Sequence, residues 1–483
     1  AHPFFRASPP RWGRPVSFRL LIDRQYYGHA HGDAAHPCPA CALTKPKGEN
    51  ELPIDMNKYI EQALKDLYNK EVDPRREPVP ALYGGFLRTY NHAVDQSIDK
   101  KQQRTLARQF KNNNEVFSAF RAHRMSRDMA AQMVDKEGNL KSFDRFRKDV
   151  EPIADHHVRQ WLRTEYDMAL SRAHLASEWE TYEADRDIMP NLRWVESTAV
   201  TPDAVHSSFW GMVRPVDDAF WAAHHPGDHW GCQCSLEQTD DPVTPISDEV
   251  IRKAPPPSPG LEENPGKTKR IFSYNSPYFP GSCETCPFRH LLKEPRTEKD
   301  CYNCPAAVEA SSRTYANNVE VLYEYNGHTL TRHVDVETDK HDYQNVVDVC
   351  KTFVRQGKSC IMTPKLNGVE KNPNYPAIYG DLIGTEFEKS CPDIRIGEHW
   401  YEHEGYDVLR EGQNKDKFSS LLSRGLKQSN RVILEDCKVT DHWAIEKCIR
   451  PHLLRGRDIE EVWIHSGKGR LRLLWKRQGG DHQ

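Results

Sequence analysis

The 483-residue chain has no apolar run of 18 residues, so no segment reads as a transmembrane helix. It also lacks a charge imbalance: 67 Lys and Arg against 70 Asp and Glu leave a net charge of −3, which excludes a global basic field as the means of holding nucleic acid. Apolar residues are modest at 37% against 28% charged, a balance that predicts extended or loosely packed segments between domains. The opening stretch AHPFFRASPPRWGRPVSFRL has no continuous apolar core and does not read as a secretory signal. It also has no initiator Met, which reads as a truncated or mis-started frame. No internal repeat is visible, which argues against a solenoid.

At about one domain per 100–200 residues, the length predicts about three units. From Ile54 the pattern turns helical, with Ile60, Ala63, Leu64 and Leu67 on one face and a Pro-rich break at 74–80. Segments 85–97, 104–133, 143–150 and 152–183 keep that period. They place Phe117, Phe120, Trp161, Leu162, Tyr166, Leu170, Ala173, Ala176 and Trp179 in a core. Residues 240–282 then hold nine prolines and read as an interdomain linker without regular structure. The expected organisation is an arm over 1–53, a mainly α domain over 54–240, a linker over 241–282, a Cys-rich segment over 283–314 and an α+β domain over 315–483.

Of the 13 cysteines, eight sit in close pairs, a usage that fits metal binding in a reducing compartment better than a disulfide framework. The remaining five are expected to be buried thiols. Cys283, Cys286, Cys301 and Cys304 form C-x2-C-x14-C-x2-C, the spacing at which two knuckles present four sulfurs to one structural zinc. Four thiolates leave no open coordination position, so its role is to fold a segment poor in apolar residues. Cys232 and Cys234 are too close in sequence to bridge easily. With His206 they form a second candidate zinc set, for which His224, His225 and His229 offer a fourth ligand. Cys38 and Cys41, beside His29, His31 and His36, are a third candidate or simply a surface arm.

The last domain alternates element types. The patterns predict a strand pair near 319–335, a helix near 342–356, a strand at 359–362, a hairpin at 393–404, a helix at 415–427, a strand at 431–435, a helix at 441–454 and a final hairpin at 461–475. Between Gly405 and Arg477, 16 Lys and Arg face 10 Asp and Glu, a local basic excess suited to phosphate. On the strand through Trp400, Glu402 and Glu404, alternate side chains share a face while Tyr401 and His403 point away. Two carboxylates so close raise one pKa toward neutrality, which suits a general base. Lys427, Gln428 and Ser429, between a helix and a strand, are placed to steady a phosphate oxyanion, and His403 is a further candidate acid.

Two resemblances follow from these residues. The stretch WLRTEYDMALSRAHLASEW followed by RWVESTAVTPDAVHSSFWGMVRPVDDAFWAAHHPGDHWGCQC resembles the phage Mu F family of head-morphogenesis proteins. It matches the family pattern at His206, Gly211, Asp217, Asp218, Phe220, Trp221, Pro226, Trp230, Cys232 and Cys234. The likeness covers roughly 54–240, and it departs where an arginine usually precedes the His and where Cys-Arg-Cys is here Cys232-Gln233-Cys234. It implies a few-copy minor capsid protein near the portal, located in the virion or procapsid and in the bacterial host cytoplasm, with portal and capsid proteins as partners. CPDIRIGEHWYEHEGYDV, GLKQSNRVILE and EVWIHSGKGRLRLLWK resemble the phage-associated nucleases of the barnase, EndoU, colicin and RelE superfamily. That likeness implies a metal-independent ribonuclease, often tRNA-cleaving, with an immunity protein as a partner.

Two other readings stand beside it. The C-terminal domain only binds nucleic acid or a partner, the glutamates guarding an exposed hairpin edge with charge. Alternatively it is a metal-dependent nuclease of the PD-(D/E)xK kind, since Pro392-Asp393 precedes Glu402-x-Glu404. Against the latter stands the missing lysine after Glu402.

Overall fold

A computed structural model describes residues 52–99, 101–198, 204–244, 247–366, 372–405, 414–467 and 470–478. They divide into two compact units on either side of Thr314 and Tyr315. The chain is thus a multidomain α+β protein, each unit with its own core.

The first unit is built on helices α1 (Asn57–Tyr68), α2 (Pro80–Ser97), α3 (Arg104–Ala130), α4 (Phe143–Asp155) and α5 (Arg163–Ala184). Proline at the first turn starts α2, where its missing N–H costs nothing, and the Ser142 side chain caps α4 by accepting from Arg145 N. The expected break between 150 and 152 does not occur. Pro152 lies inside α4, and a π-helical turn over His156–Leu162 carries the chain directly into α5. The predicted core residues are buried apart from Leu170, which is only partly so. At the centre Glu165 accepts from Tyr90 Oη at 2.5 Å and Tyr278 Oη at 2.6 Å and pairs with Arg121 at 3.2 Å, with Arg121 and Glu165 both fully buried. Removing either partner would strand a charge.

The Pro-rich stretch is not an unstructured linker over its second half. Arg172, on α5 and fully buried, donates to the carbonyls of Ile271 at 2.6 Å, Gly227 at 2.8 Å, Leu261 at 3.2 Å and Glu263 at 2.5 Å. Phe272, Tyr278 and Phe279 pack their rings against Phe117, the first and last tilted and Tyr278 edge-on. Gly266 lies so close to Trp179 that a Cβ would sit 2.4 Å from its Cγ. Prolines keep this segment from forming long elements, but its aromatics bury like any core residue. An antiparallel sheet in the order β2-β1-β3 completes the unit, with β1 Asn191–Val195, β2 Val213–Pro215 and β3 Ser235–Thr239.

The second unit is one mixed eight-stranded sheet in the order β11-β10-β9-β8-β7-β6-β5-β4. Its strands are β4 (Val319–Tyr325), β5 (His328–His333), β6 (Cys360–Met362), β7 (Ile394–Ile396), β8 (His399–Glu404), β9 (Arg431–Glu435), β10 (Glu461–His465) and β11 (Leu471–Lys476). Strands β6, β7 and β8 run as an antiparallel meander, whereas β8, β9 and β10 are mutually parallel. Parallel neighbours need crossovers. These are α7 (Lys415–Gly425) and a continuous helical run over 441–454, while α6 (Tyr343–Arg355) precedes β6. Side-chain alternation then assigns the faces. Ile394, Ile396, Tyr401 and Ile433 pack with α6 residues Val349 and Phe353, whereas Val432, Leu434, Val462 and Ile464 pack with α7 residues Phe418 and Leu421. Both faces are covered, so β8 lies inside the sheet and its glutamates do not guard an exposed edge.

Candidate functional site

The meander brings three chemistry-bearing side chains to one place. Ile394 pairs with Tyr401 and Met362 with Ile394, so Asp393 lies across from Glu402. Lys365, an even number of residues beyond Ile361, returns to the same face. Lys365 Nζ lies 3.0 Å from Asp393 Oδ1 and 3.2 Å from both Glu402 carboxylate oxygens, and it donates to Cys391 O at 2.5 Å. Asp393 N donates to Glu402 Oε2 at 3.0 Å, and His403 N to Asp393 Oδ2 at 3.3 Å. Tyr379 holds the approach to this corner, its hydroxyl on Pro364 O at 2.7 Å.

Electrostatics follow from burial. Glu402 is 6% exposed, and its pKa is pushed well up, first by burial and then by the charge of Asp393, against the lowering pull of Lys365. Burial would lower Lys365, but Asp393 and Glu402 overcome it and hold the ammonium firmly charged. Glu404 shares the face of Glu402 but binds elsewhere: Arg424 of α7 lies 2.5 Å from its Oε2. Its pKa is also raised, with burial the main cause and Arg424 opposing.

The remaining predicted residues separate. Ser429 is buried and donates to Trp400 O at 2.8 Å, and Gln428 Oε1 accepts from Cys391 N at 3.3 Å. Both are spent on backbone rather than offered to a phosphate. Lys427 is exposed, and its carbonyl accepts from Ser390. His403 is on the other face, fully buried, with Nε2 3.0 Å from Glu435 Oε1 and Nδ1 3.7 Å from Asp342 Oδ2. Burial lowers its pKa, but these two carboxylates reverse the effect and raise it to about 9.

In the first unit His206, Cys232 and Cys234 converge, their ligand atoms within 4.8 Å of one another and all three buried. His206 Nδ1 lies 3.3 Å from Cys232 Sγ and 3.9 Å from Cys234 Sγ, while Nε2 meets Asp228 Oδ1 at 2.7 Å. The bond to Cys232 leads the effects that lower the Cys234 pKa to about 4, whereas Cys232 is driven up by Cys234 and by burial. His225 is occupied by Arg172, and the His229 ring lies 5.1 Å from that of His206. Cys283, Cys286, Cys301 and Cys304 form two turns closed by Cys286 N to Cys283 O and Cys304 N to Cys301 O. Burial and the neighbouring thiols raise Cys286 to about 11; burial likewise raises Cys301 to about 12, with the other three thiols adding to it. They are not among the described groups whose ligand atoms close to within 4.8 Å. Cys350, Cys360, Cys391, Cys437 and Cys448 are buried. Cys38 and Cys41 lie outside the described residues. Among the described residues no helix is long and apolar enough to cross a membrane.

Sequence reasoning missed Lys365, Asp342, Glu435 and His465. Only Lys365 left a usable signal, its even spacing from the strand at 359–362. No family model matches this chain, and no curated protein or solved structure matches it either.

Proposed function

We propose that the second unit cleaves nucleic-acid phosphodiesters with a divalent metal held by Asp393 and Glu402, on a minor capsid protein of the phage Mu F kind. The observation that carries this reading is Lys365, whose ammonium lies 3.0–3.2 Å from both carboxylates. The lysine absent after Glu402 is thus supplied by the segment that follows β6, the strand on the far side of β7 from β8. The fit to a hard cation rests on the donor set: two oxygen ligands side by side, one buried and with its charged form disfavoured by Asp393, a burden that a divalent ion relieves. When bound, such an ion activates water and offsets charge on the phosphate. Asp393 N fixes the Glu402 carboxylate, His403 N fixes that of Asp393, and Lys365 presents positive charge to a phosphate oxygen. Basic residues beyond Gly405 supply the general attraction for RNA, tRNA being the first substrate to try.

On this reading the protein acts near the portal in the virion or procapsid and in the host cytoplasm after infection, with an immunity protein as partner of the nuclease; the likeness of residues 54–240 to the Mu F pattern supports it. Its cysteines hold structural zinc, at the C-x2-C pairs and at His206, Cys232 and Cys234. There Asp228 orients the imidazole from behind in the manner of a zinc-bound histidine.

The full chain should be incubated with total tRNA and with DNA, in Mg²⁺ and in EDTA. Cleavage is expected only with Mg²⁺, and Lys365→Ala, Asp393→Asn and Glu402→Gln should each lower it at least ~100-fold, as for loss of one electrostatic stabiliser. Glu404→Gln and Lys427→Ala should fall much less. Undiminished cleavage in EDTA would instead favour the metal-independent ribonuclease, and no cleavage of any substrate would favour a binding module.

A further inference from the structure

Behind the carboxylate site, on the α6 face of the sheet, lies a second group that the nuclease reading does not use. His403, Glu435 and His465 stand at the C-terminal ends of the parallel strands β8, β9 and β10. This is the end at which parallel sheets collect ligands. Glu435 is paired directly with His465, and His403 with Ile433 two residues earlier. Alternation therefore sends all three side chains to one face. His403 Nε2 is 3.0 Å and His465 Nδ1 2.8 Å from the same oxygen, Glu435 Oε1. The three ligand atoms lie within 4.8 Å of one another and all three residues are buried, with His465 0% and His403 3% exposed.

We propose that His403, Glu435 and His465 form a site for a zinc-class divalent transition metal. Two imidazoles and one carboxylate are a donor set that suits such an ion rather than Mg²⁺. Without a metal, both rings must donate to one oxygen, and the other nitrogen of His403 faces Asp342 with no hydrogen bond of its own. With a metal bound, Nε2 would give up its proton and offer its lone pair to the ion, while the Nδ1 proton stays on the side of Asp342 Oδ2, 3.7 Å away. That carboxylate then plays the orienting part that outer carboxylates play behind ligating histidines. Bonds of about 2.0–2.1 Å in a tetrahedron put ligand atoms roughly 3.3 Å apart, so the N–O separations need open only by about 0.3–0.5 Å. Gly405 contributes no side chain here. A Cβ on it would lie 3.4 Å from Asp342 Cβ and Glu435 Cγ and 3.5 Å from His403 Cε1, so Gly405 runs beside the three ligands without crowding them. The ion clamps three adjacent strands, and β8 is the strand whose opposite face carries Glu402.

The test is zinc content of the full chain after chelation, reloading and desalting. His403→Ala with His465→Ala should lose one equivalent relative to the parent chain, while Glu402→Gln keeps it, which separates this site from the proposed nuclease centre. Cobalt loading sharpens the assignment. The charge-transfer absorption of cobalt-thiolate bonds at the cysteine sites should be unchanged in the double variant, with only the weaker nitrogen and oxygen-ligated component lost. If the double variant fails to fold, His465→Gln with Glu435→Gln, which keep the side-chain volumes, is measured in its place. Equal zinc content in parent and folded variant overturns the proposal and leaves an ionic His-Glu-His triad.

Discussion

Each unit buries an imidazole between ligand-type side chains on one nitrogen and an orienting carboxylate on the other. In the first unit His206 faces Cys232 and Cys234, with Asp228 behind it at 2.7 Å; in the second His403 faces Glu435 and His465, with Asp342 behind it at 3.7 Å. The difference lies in what holds the carboxylate. Asp228 is 0% exposed and its carboxylate meets His206 at 2.7 Å and His224 at 3.6 Å, whereas Asp342 opens the first turn of α6 and is 22% exposed. An orienting carboxylate that is sealed depends on its imidazole; one with access to water does not.

The comparison predicts unequal consequences of losing the imidazole. His206→Ala leaves the Asp228 charge sealed without its shortest partner, and should destabilise the first unit by about 3–5 kcal/mol, the usual cost of breaking a buried pair. Urea unfolding followed by tryptophan fluorescence measures it, since Trp194 packs 5.0 Å from the His206 ring. Adding Asp228→Asn should restore much of the loss, because the stranded charge disappears. A loss under 1 kcal/mol would mean that water reaches Asp228.

Glu435→Gln is the milder counterpart. The amide keeps an oxygen for one imidazole and places an NH₂ near the other, so the expected loss is about 1–3 kcal/mol, that of an imperfectly satisfied buried group. The readout is chemical unfolding of the full chain in EDTA, which isolates the protein contribution from any metal.

The same contrast governs what was legible in the sequence. His206, Cys232 and Cys234 announce themselves because two ligands sit one residue apart, so proximity needs no knowledge of the fold. His403, Glu435 and His465 come from three strands separated by crossovers, and each alone is one polar residue near a strand end. Lys365 was hidden for the same reason, since only the pairing of β6 with β7 returns it to Asp393. Elements were easier than contacts. The strands and helices of the second unit fall where periodicity placed them, because alternation such as Val432 and Leu434 against Ile433 is imposed by burial on both faces. The 259–282 segment was misread because prolines were weighed and its aromatics were not. Arg172 shows why pattern fails there: on a helix an arginine reads as surface, yet here four carbonyls pay for its burial.

The last prediction concerns acid, where the units should part again. In the first unit burial keeps three histidines neutral, His225 lowered to about 3 and His123 and His157 each to about 4, with burial the main cause in all three. His157 cannot take a proton easily beside Arg121, whose NH1 lies 2.7 Å from its Nδ1. In the unfolded chain all three return to a pKa near 6.5. Between pH 6.5 and about 4 the unfolded state therefore binds more protons than the folded one, and stability falls as pH falls. The expected slope is about 1 kcal/mol per histidine for each pH unit below 6.5. His403 of the second unit runs the opposite way, as His206 does in the first against three lowered histidines. Its raised pKa of about 9 adds stability that is full below pH 6.5 and is lost as pH rises through 9. Calorimetry at pH 7 and pH 5.5 in EDTA should show the transition of the first unit moving down more than that of the second. His123→Gln with His157→Gln should flatten the pH response of the first unit even if it lowers Tm overall. A double variant with the parent's pH slope would assign the acid sensitivity to His225 or to carboxylates instead.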